Sequence, residues 1–344
     1  MYQTAANCDK RRILGALTGK KIDRVPNFEV LVDDPTLSFI MGREIKGNHT
    51  LDNINVEDYM EFARRVGQDA VGLCFYDNPF CVIGEDGAPK NRDFRIACRK
   101  DLDRLLPATL DHLQDRFRQL EQYRAAVSAS ELALFALTGS FFCDAYDSVF
   151  GFDNFMYLLY DDPLLIEDYL EMHAAYYVEQ VKALVKGGID FLYIGDDISH
   201  KGGTMISPAT MRRIWVPRMR RVMAPAVERG IPILFHSDGN IIDMLPDLLD
   251  MGIGGLNPIE PYGMDIADVK RRFGSNITLF GNLDVGAVLA MGTPDTVRAA
   301  AKALIDTVGK DGGLVMASSH SITADVHPEN YIAMIETAQQ YGRY

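Results

Sequence analysis

The chain has 344 residues, of which 47% are hydrophobic and 24% are charged, and its formal net charge is −13. This ordinary composition excludes a disordered chain, and the acidic balance argues against nucleic acid or an anionic membrane surface as a partner because the sequence shows no basic patch. No apolar run approaches the ~18 residues that a membrane span needs, and the first residues show no secretion signal, so we expect a cytoplasmic protein. Five cysteines without a CxxC pair predict reduced thiols rather than disulfides or a thiolate zinc site.

Eight short apolar segments recur along the chain, in the order NFEVLV, AVGLCFY, LALFALT, IDFLYI, IPILF, IGGLN, ITLF and GLVMAS. Such runs, separated by helical patterns, are typical of strands buried on both faces of a parallel sheet. Eight of them predict an α/β protein with a (β/α)₈ TIM barrel, built as one domain over residues 1–344.

The elements between these strands follow a regular order. A helix over residues 7–19 precedes the first strand, and a second helix over 56–66 leads into the strand at 70–76. An insertion of more than fifty residues then follows strand two, with a hairpin and a polar helix, and insertions at this position often form lids. Each later helix ends in a glycine before the next strand, at Gly187 and Gly188, Gly230, Gly252, Gly274 and Gly312.

Polar side chains stand where the apolar segments end. They are Glu29 and Asp33, Asp77, Thr138, Asp196 and Asp197, His236 and Asp238, Asn257 and Glu260, Asn282 and Asp284, and His320. Because the carboxyl ends of barrel strands meet at one mouth, where the following loops build the active site, we expect these side chains to converge.

The sharpest local pattern is FHSDGN, in which His236 and Asp238 lie two residues apart at a strand end. His320 ends the last strand, and Glu260 ends an intervening one. Two histidines and one or two carboxylates on neighbouring strands predict a zinc site with three protein ligands and one position open to a substrate. The alternative is that both histidines are hydrogen-bonded without a metal.

Four acids are candidates for catalysis: Asp77, Asp196, Asp197 and Glu260. Asp196 and Asp197 are adjacent, so one can face the pocket while the other caps the following turn. Asp77 is a candidate general acid or hydrogen-bond anchor, and its alternative role is that of a turn residue before Asn78 and Pro79.

Four residues are candidates for substrate binding. Asn282 in FGNLD and Asn257 carry amides at strand ends, Glu29 lies in the first apolar segment, and Tyr146 belongs to an aromatic loop that can wall a pocket.

At FHSDGN, NPIEP, FGNLD and SSHSITADVHPENY the sequence resembles the uroporphyrinogen decarboxylase superfamily, over nearly the whole chain. That superfamily includes true decarboxylases and zinc-dependent methyltransferases that work with corrinoid proteins. The decarboxylases carry an arginine-rich signature, RQAGRY, after the first strand, whereas the corresponding stretch here, NFEVLVDDP, has no arginine. A substrate with eight carboxylates would meet Glu29, Asp33 and Asp34, which is electrostatically unfavourable. Asp77 resembles the decarboxylases' catalytic aspartate, and His320 resembles their late histidine.

The methyltransferases bind zinc through a His-x-Cys motif and a later cysteine. Here His236 matches the histidine, Asp238 replaces the first cysteine and His320 falls where the second would be. The resemblance therefore implies zinc held by these three residues, in a harder site than a thiolate one.

The implied reaction moves a methyl group between a corrinoid and either a small methylated compound, such as a methoxylated one, or a thiol or folate acceptor. The chain has no Asp-x-His-x-x-Gly corrinoid motif, so we expect the corrinoid on a separate partner protein. Cofactor-free uroporphyrinogen decarboxylation through Asp77 and a non-catalytic binding role are the alternatives. A homodimer, common in the family, is compatible with these residues but not required by them.

Overall fold

The structure, a computed structural model, describes residues 2–4, 7–46, 50, 54–76, 95–105 and 108–344, together with the backbone of 82–83 and 89–90. The strands of this part of the chain are β1 (Ala70–Cys74), β2 (Val82–Ile83), β3 (Pro89–Lys90), β4 (Ala133–Gly139), β5 (Phe191–Gly195), β6 (Ser199–His200), β7 (Gly203–Thr204), β8 (Ile233–His236), β9 (Gly255–Asn257), β10 (Thr278–Leu283) and β11 (Leu314–Ser318).

The helices surround these strands in the expected alternation. They are α1 (Lys10–Leu17), α2 (Asp34–Met41), α3 (Val56–Val66), α4 (Arg99–Leu102), α5 (Gln114–Val127), α6 (Phe141–Asp144), α7 (Phe152–Asp161), α8 (Pro163–Lys186), α9 (Pro208–Ile214), α10 (Val216–Glu228), α11 (Leu245–Met251), α12 (Ile266–Phe273), α13 (Pro294–Leu304) and α14 (Pro328–Tyr341). Shorter helical turns cover Asp111–Leu113, Ala145–Val149, Val285–Ala290 and Ile305–Gly309. Across the described residues, every helix is too short or too polar to span a bilayer.

Seven strands form one parallel sheet in the order β1-β4-β5-β8-β9-β10-β11. All seven coincide with apolar segments predicted as strands. Strands that are buried on both faces have continuous apolar sequences, which makes them easy to recognise. Two short antiparallel pairs, β2–β3 and β6–β7, lie outside this sheet. The pair β2–β3 falls where a hairpin was predicted, and the role of that segment as an insertion or lid stays a prediction.

The first apolar segment, predicted as a strand over residues 27–32, makes only isolated bridges. Asn27 pairs with Met316 and Val32 with Ile322, both in parallel, so the segment runs beside β11. On its other side, the Gln68 side chain connects the segment to β1 in place of direct backbone hydrogen bonds. Glu29 N donates to Gln68 Oε1 at 2.9 Å, and Gln68 Nε2 donates to Ala70 O at 2.9 Å. The eight-stranded prediction is thus confirmed in part, as a seven-stranded curled sheet compatible with a TIM-barrel-like fold.

Phe28 shows how strongly the sheet curls. Its ring contacts Phe135 on β4 at a centroid distance of 5.4 Å, Phe191 on β5 at 6.2 Å and Phe280 on β10 at 5.8 Å. Since β4 and β10 are separated by three strands, one ring can reach both only inside a curved sheet. The interior is therefore a packed core.

Helix α1 closes the end of this core where the strands begin. Asp9 caps the helix by accepting a hydrogen bond from Arg11 N, and Ala16 and Leu17 pack with Phe28 in the interior cluster. Thr278 at the start of β10 donates to Ala16 O at 2.7 Å. The polar side chains gather at the opposite end, where the strands finish.

Candidate active site

His236 is held at the end of β8 by its two neighbouring strands. It pairs in register with Gly195 on β5 and Asn257 on β9. Its Nδ1 lies 3.3 Å from the Tyr193 hydroxyl and 3.3 Å from Asn257 Oδ1, and Tyr193 also donates to that amide oxygen. An amide oxygen has no proton to give, so these contacts place the proton on Nδ1 and leave the Nε2 lone pair free to bind a ligand.

The Nε2 of His236 faces two carboxylates. It lies 3.7 Å from Asp197 Oδ1 and 3.8 Å from Asp238 Oδ1, and Asp238 N donates to Asp197 Oδ1 at 3.0 Å. One ligand atom from each of these three residues lies within 4.8 Å of the others, which is the spacing of a potential metal site. Ligand atoms ~2.1 Å from a tetrahedral metal are about 3.4 Å apart, so the two distances from His236 Nε2 exceed that spacing by only a few tenths of an ångström.

Asp238 provides an independent indication of a cation. Its Oδ1 is buried and has no hydrogen-bond partner among the described residues. Burial alone would raise the pKa of Asp238, but the hydrogen bond with His320 and the nearby His236 and His320 rings outweigh it, so the pKa is lowered. A buried, ionised oxygen without a donor is costly unless a positive charge meets it.

His320 lies on the other oxygen of Asp238. Its Nε2 is 3.5 Å from Asp238 Oδ2, and its ring centroid is 6.1 Å from that of His236, so the expected proximity of the two imidazoles is confirmed. The hydrogen bond to Asp238 raises the pKa of His320. Burial lowers this pKa, whereas the charges of Asp197 and Glu260 raise it further. The three residues whose ligand atoms lie within 4.8 Å of one another are Asp197, His236 and Asp238. The predicted ligand set had His320 in place of Asp197.

Asp196 points away from this group. It is buried, and its carboxylate accepts from Phe142 N at 3.2 Å, from Cys143 N at 2.8 Å and from Trp215 Nε1 at 2.8 Å. Burial raises its pKa to about 7, against the opposing effect of these donors. Of the two adjacent acids, Asp197 thus faces the site, while Asp196 anchors the start of α6.

Glu29 and Glu260 support neighbouring backbone. Glu29 is buried and accepts from Ser318 N at 2.6 Å and Ser318 Oγ at 2.9 Å, and burial raises its pKa to about 8. Glu260 Oε2 accepts from Gly239 N at 2.7 Å. Gly239 has φ +82°, and a Cβ there would lie 2.6 Å from the His200 backbone, so the turn after Asp238 requires glycine.

The remaining predicted residues lie around the same mouth or outside the description. Tyr146 is buried and donates to Asp197 O at 3.0 Å, and burial raises its pKa well above the ordinary value. Asn257 takes part in the His236 contacts above. Asn282 is half-buried on β10, opposite Ala317 of β11. Asp77 lies outside the described residues.

Two tyrosines at the mouth were not predicted. Tyr193 supports His236. Residues two apart on a strand share a face, so the position of Tyr193 two residues after Phe191 could have indicated that both side chains point inward. Tyr76 is 42% exposed. Its hydroxyl packs against Gly195, where an added Cβ would lie only 1.8 Å from the hydroxyl oxygen. Within the described part of the chain, the ion pairs of Asp197 and Asp238 are made with histidines alone.

Comparison with known proteins decides the family. Residues 82–341 match the family model described as Uroporphyrinogen decarboxylase (URO-D). The chain belongs to the URO-D family. The predicted family is thereby confirmed.

The similar proteins include uroporphyrinogen decarboxylases and a methyltransferase. A uroporphyrinogen decarboxylase from Methylococcus capsulatus is 27% identical over 185 residues, which is 54% of this chain but only 51% of that protein. The methylcobamide:CoM methyltransferase MtaA of Methanosarcina barkeri is 25% identical over 96% of this chain and 98% of its own length. A solved methyltransferase from Methanosarcina mazei shares the fold, with a TM-score of 0.71, 20% identity and coverage of 96% and 98% of the two chains.

Proposed function

We propose that this protein is a metal-dependent methyltransferase that moves a methyl group between a small methylated compound and a corrinoid carried by a separate protein. The main support is the convergence of His236, Asp197 and Asp238 on one space, with a buried carboxylate oxygen that lacks a donor within the described residues. Similarity to MtaA over both full lengths points the same way.

The proposed metal ligands are His236 Nε2 and the carboxylates of Asp197 and Asp238. Zinc accepts nitrogen and oxygen ligands in sites that keep one position open, so the residues present fit it. A metal bound there would act as a Lewis acid on the heteroatom next to the methyl group. Because the donors are oxygen and nitrogen, the site is harder than a thiolate site.

The other residues hold this arrangement in place. Tyr193 and Asn257 fix the ring of His236 and its tautomer, in the way that outer hydrogen bonds orient metal-binding histidines. Glu260, through Gly239, fixes the turn that carries Asp238. His320 is half exposed and lies beside Asp238 at the mouth, and we assign it the donation of a proton to the leaving heteroatom.

Metal analysis combined with two matched variants tests this proposal. Protein purified without chelators should contain about one zinc per chain. The metal should be lost in His236→Ala and retained in His320→Ala, whose defect should lie in methyl transfer to a supplied corrinoid protein. A wild-type protein that carries no divalent metal and takes up none on addition would remove the metal-dependent function.

Uroporphyrinogen decarboxylation is the second candidate, supported by the family match and by the decarboxylases among the relatives. Its poorer electrostatic fit rests on the absence of arginine in residues 27–35 and on Asp197 and Asp238, whose ion partners in the described chain are histidines. Incubation with uroporphyrinogen distinguishes the two functions: stepwise loss of carbon dioxide at a rate unaffected by His236→Ala would favour the decarboxylase.

A further inference from the structure

A cavity of about 970 Å³ opens at the end of the sheet opposite the histidines. It lies between the turn after α1 and the starts of β9, β10 and β11, where Gly254, Thr278 and Gly313 line it. Thr278 and Leu283 mark the two ends of β10. Five steps along an extended strand span roughly 17 Å, so this cavity is separate from the site at the mouth.

The charged side chains around this cavity are mainly basic. Lys20, Lys21, Lys270 and Lys310 line it, with Asp311 as the one carboxylate side chain in the lining. Lys310 pairs with Asp306 at 3.4 Å, but the other three lysines have no carboxylate oxygen within 4.0 Å among the described residues. In a chain with 48 acidic and 35 basic residues, three unpaired ammonium groups around one cavity run against the overall composition.

Lys270 is the most informative of these lysines because it is half-buried. Its Nζ donates to Gly312 O at 2.6 Å, which leaves two of its three protons for other acceptors. Burial lowers the pKa of Lys270, and the more distant charge of Asp311 opposes this effect. A Cβ on Gly313 would lie 2.6 Å from Nζ, so glycine at this position, with φ +72°, keeps space for the ammonium.

We propose that this cavity binds a phosphorylated small molecule, with Lys20, Lys21 and Lys270 as the cationic contacts. Ammonium groups act as point charges toward phosphate oxygens, and three of them around one cavity suit a multivalent anion. The volume lies within the range of small-molecule sites, near its upper end. This assignment is independent of the methyltransferase proposal.

Thermal unfolding with tripolyphosphate tests the site, at constant ionic strength and with citrate as a carboxylate anion for comparison. The unfolding midpoint of the wild type should rise with tripolyphosphate concentration, because a ligand that binds only the folded state stabilises it. The double variant Lys20→Gln with Lys21→Gln changes exposed side chains, so it should fold, and its affinity should fall about tenfold for each ammonium lost. Lys270→Met should weaken binding in the same way.

Two controls separate this site from other effects. Lys182→Gln removes an exposed lysine on α8, where it pairs with Glu179, and should leave tripolyphosphate binding unchanged. His236→Ala should keep the effect, which excludes binding of tripolyphosphate to a metal at the mouth as its cause. The assignment fails if the wild type shows no shift, if the double variant shifts as much as the wild type, or if citrate stabilises equally.

Discussion

Replacing Glu29 with glutamine should remove a pH-dependent cost that the folded protein carries. Glu29 is fully buried, and burial raises its pKa to about 8 from an ordinary value of 4.5. Between these two values the unfolded chain releases the proton while the folded chain keeps it, so stability is full below pH 4.5 and falls as pH rises toward 8. Glutamine keeps an oxygen that can accept from Ser318 N but has no proton to lose.

The magnitude follows from the two pKa values. Each unit of pKa difference is worth about 1.4 kcal/mol, so the cost above pH 8 is on the order of 5 kcal/mol, of which about 3 kcal/mol develops between pH 6 and pH 9. The free energy of unfolding of Glu29→Gln relative to the wild type should therefore rise by about 3 kcal/mol over that interval. Any pH-independent effect of exchanging an oxygen for an amide nitrogen cancels in this comparison.

Urea unfolding of metal-free protein at pH 6 and pH 9 measures this difference. The metal is removed because a cation near His320 would itself lower the pKa of Glu29. Glu121→Gln, in which an exposed carboxyl on α5 takes the same change, gives the background of the substitution. A stability difference between Glu29→Gln and wild type that stays constant within about 0.5 kcal/mol from pH 6 to pH 9 would refute the reasoning.

Three further results are expected. Tyr193→Phe removes a hydroxyl that supports His236, so the zinc affinity should fall about 10- to 100-fold while the fold is kept. Competition with a chromogenic chelator measures this affinity, and an unchanged value would contradict the positioning role of Tyr193. Asp196→Ala leaves three N–H donors unsatisfied and should destabilise the protein by about 3 kcal/mol or more in urea, with a change in the emission of Trp215, the single tryptophan; stability equal to wild type would contradict the anchoring role. His320→Ala should flatten the pH profile of methyl transfer on the acid-requiring side, because His320 lies beside the proposed metal site, whereas a retained profile would assign the proton to another group.

The sequence predicted the strands well because burial on both faces gives unbroken apolar runs. At residues 27–32 the prediction was confirmed only in part: the segment pairs in parallel beside β11, but its contact toward β1 comes from the Gln68 side chain. No local pattern distinguishes a glutamine that replaces a backbone ladder from one on the surface. The proximity of His236 and His320 could be predicted because strand order alone brings the ends of parallel strands to one mouth.

The directions of individual side chains at that mouth were beyond local sequence reasoning. Asp196 and Asp197 are adjacent, and their separation depends on Phe142 N and Trp215 Nε1, donors more than fifteen residues away in the chain. Tyr193 was missed because an aromatic residue within an apolar run indicates core packing. The role of its hydroxyl depends on His236 and Asn257, which lie on strands one and two positions away in the sheet.

The absence of thiolates from the proposed ligand set bears on the direction of the proposed reaction. Thiolate ligands donate much electron density to a metal, and such a metal suits the binding and activation of a soft thiol nucleophile. His236, Asp197 and Asp238 offer only nitrogen and oxygen, so a metal held by them would keep more of its Lewis acidity. That acidity matches the task of polarising an oxygen as it leaves a methyl group, and His320 beside Asp238 can return a proton to the same oxygen. Within the proposed function, the chemistry of the ligand set therefore favours a methoxylated donor over a thiol acceptor.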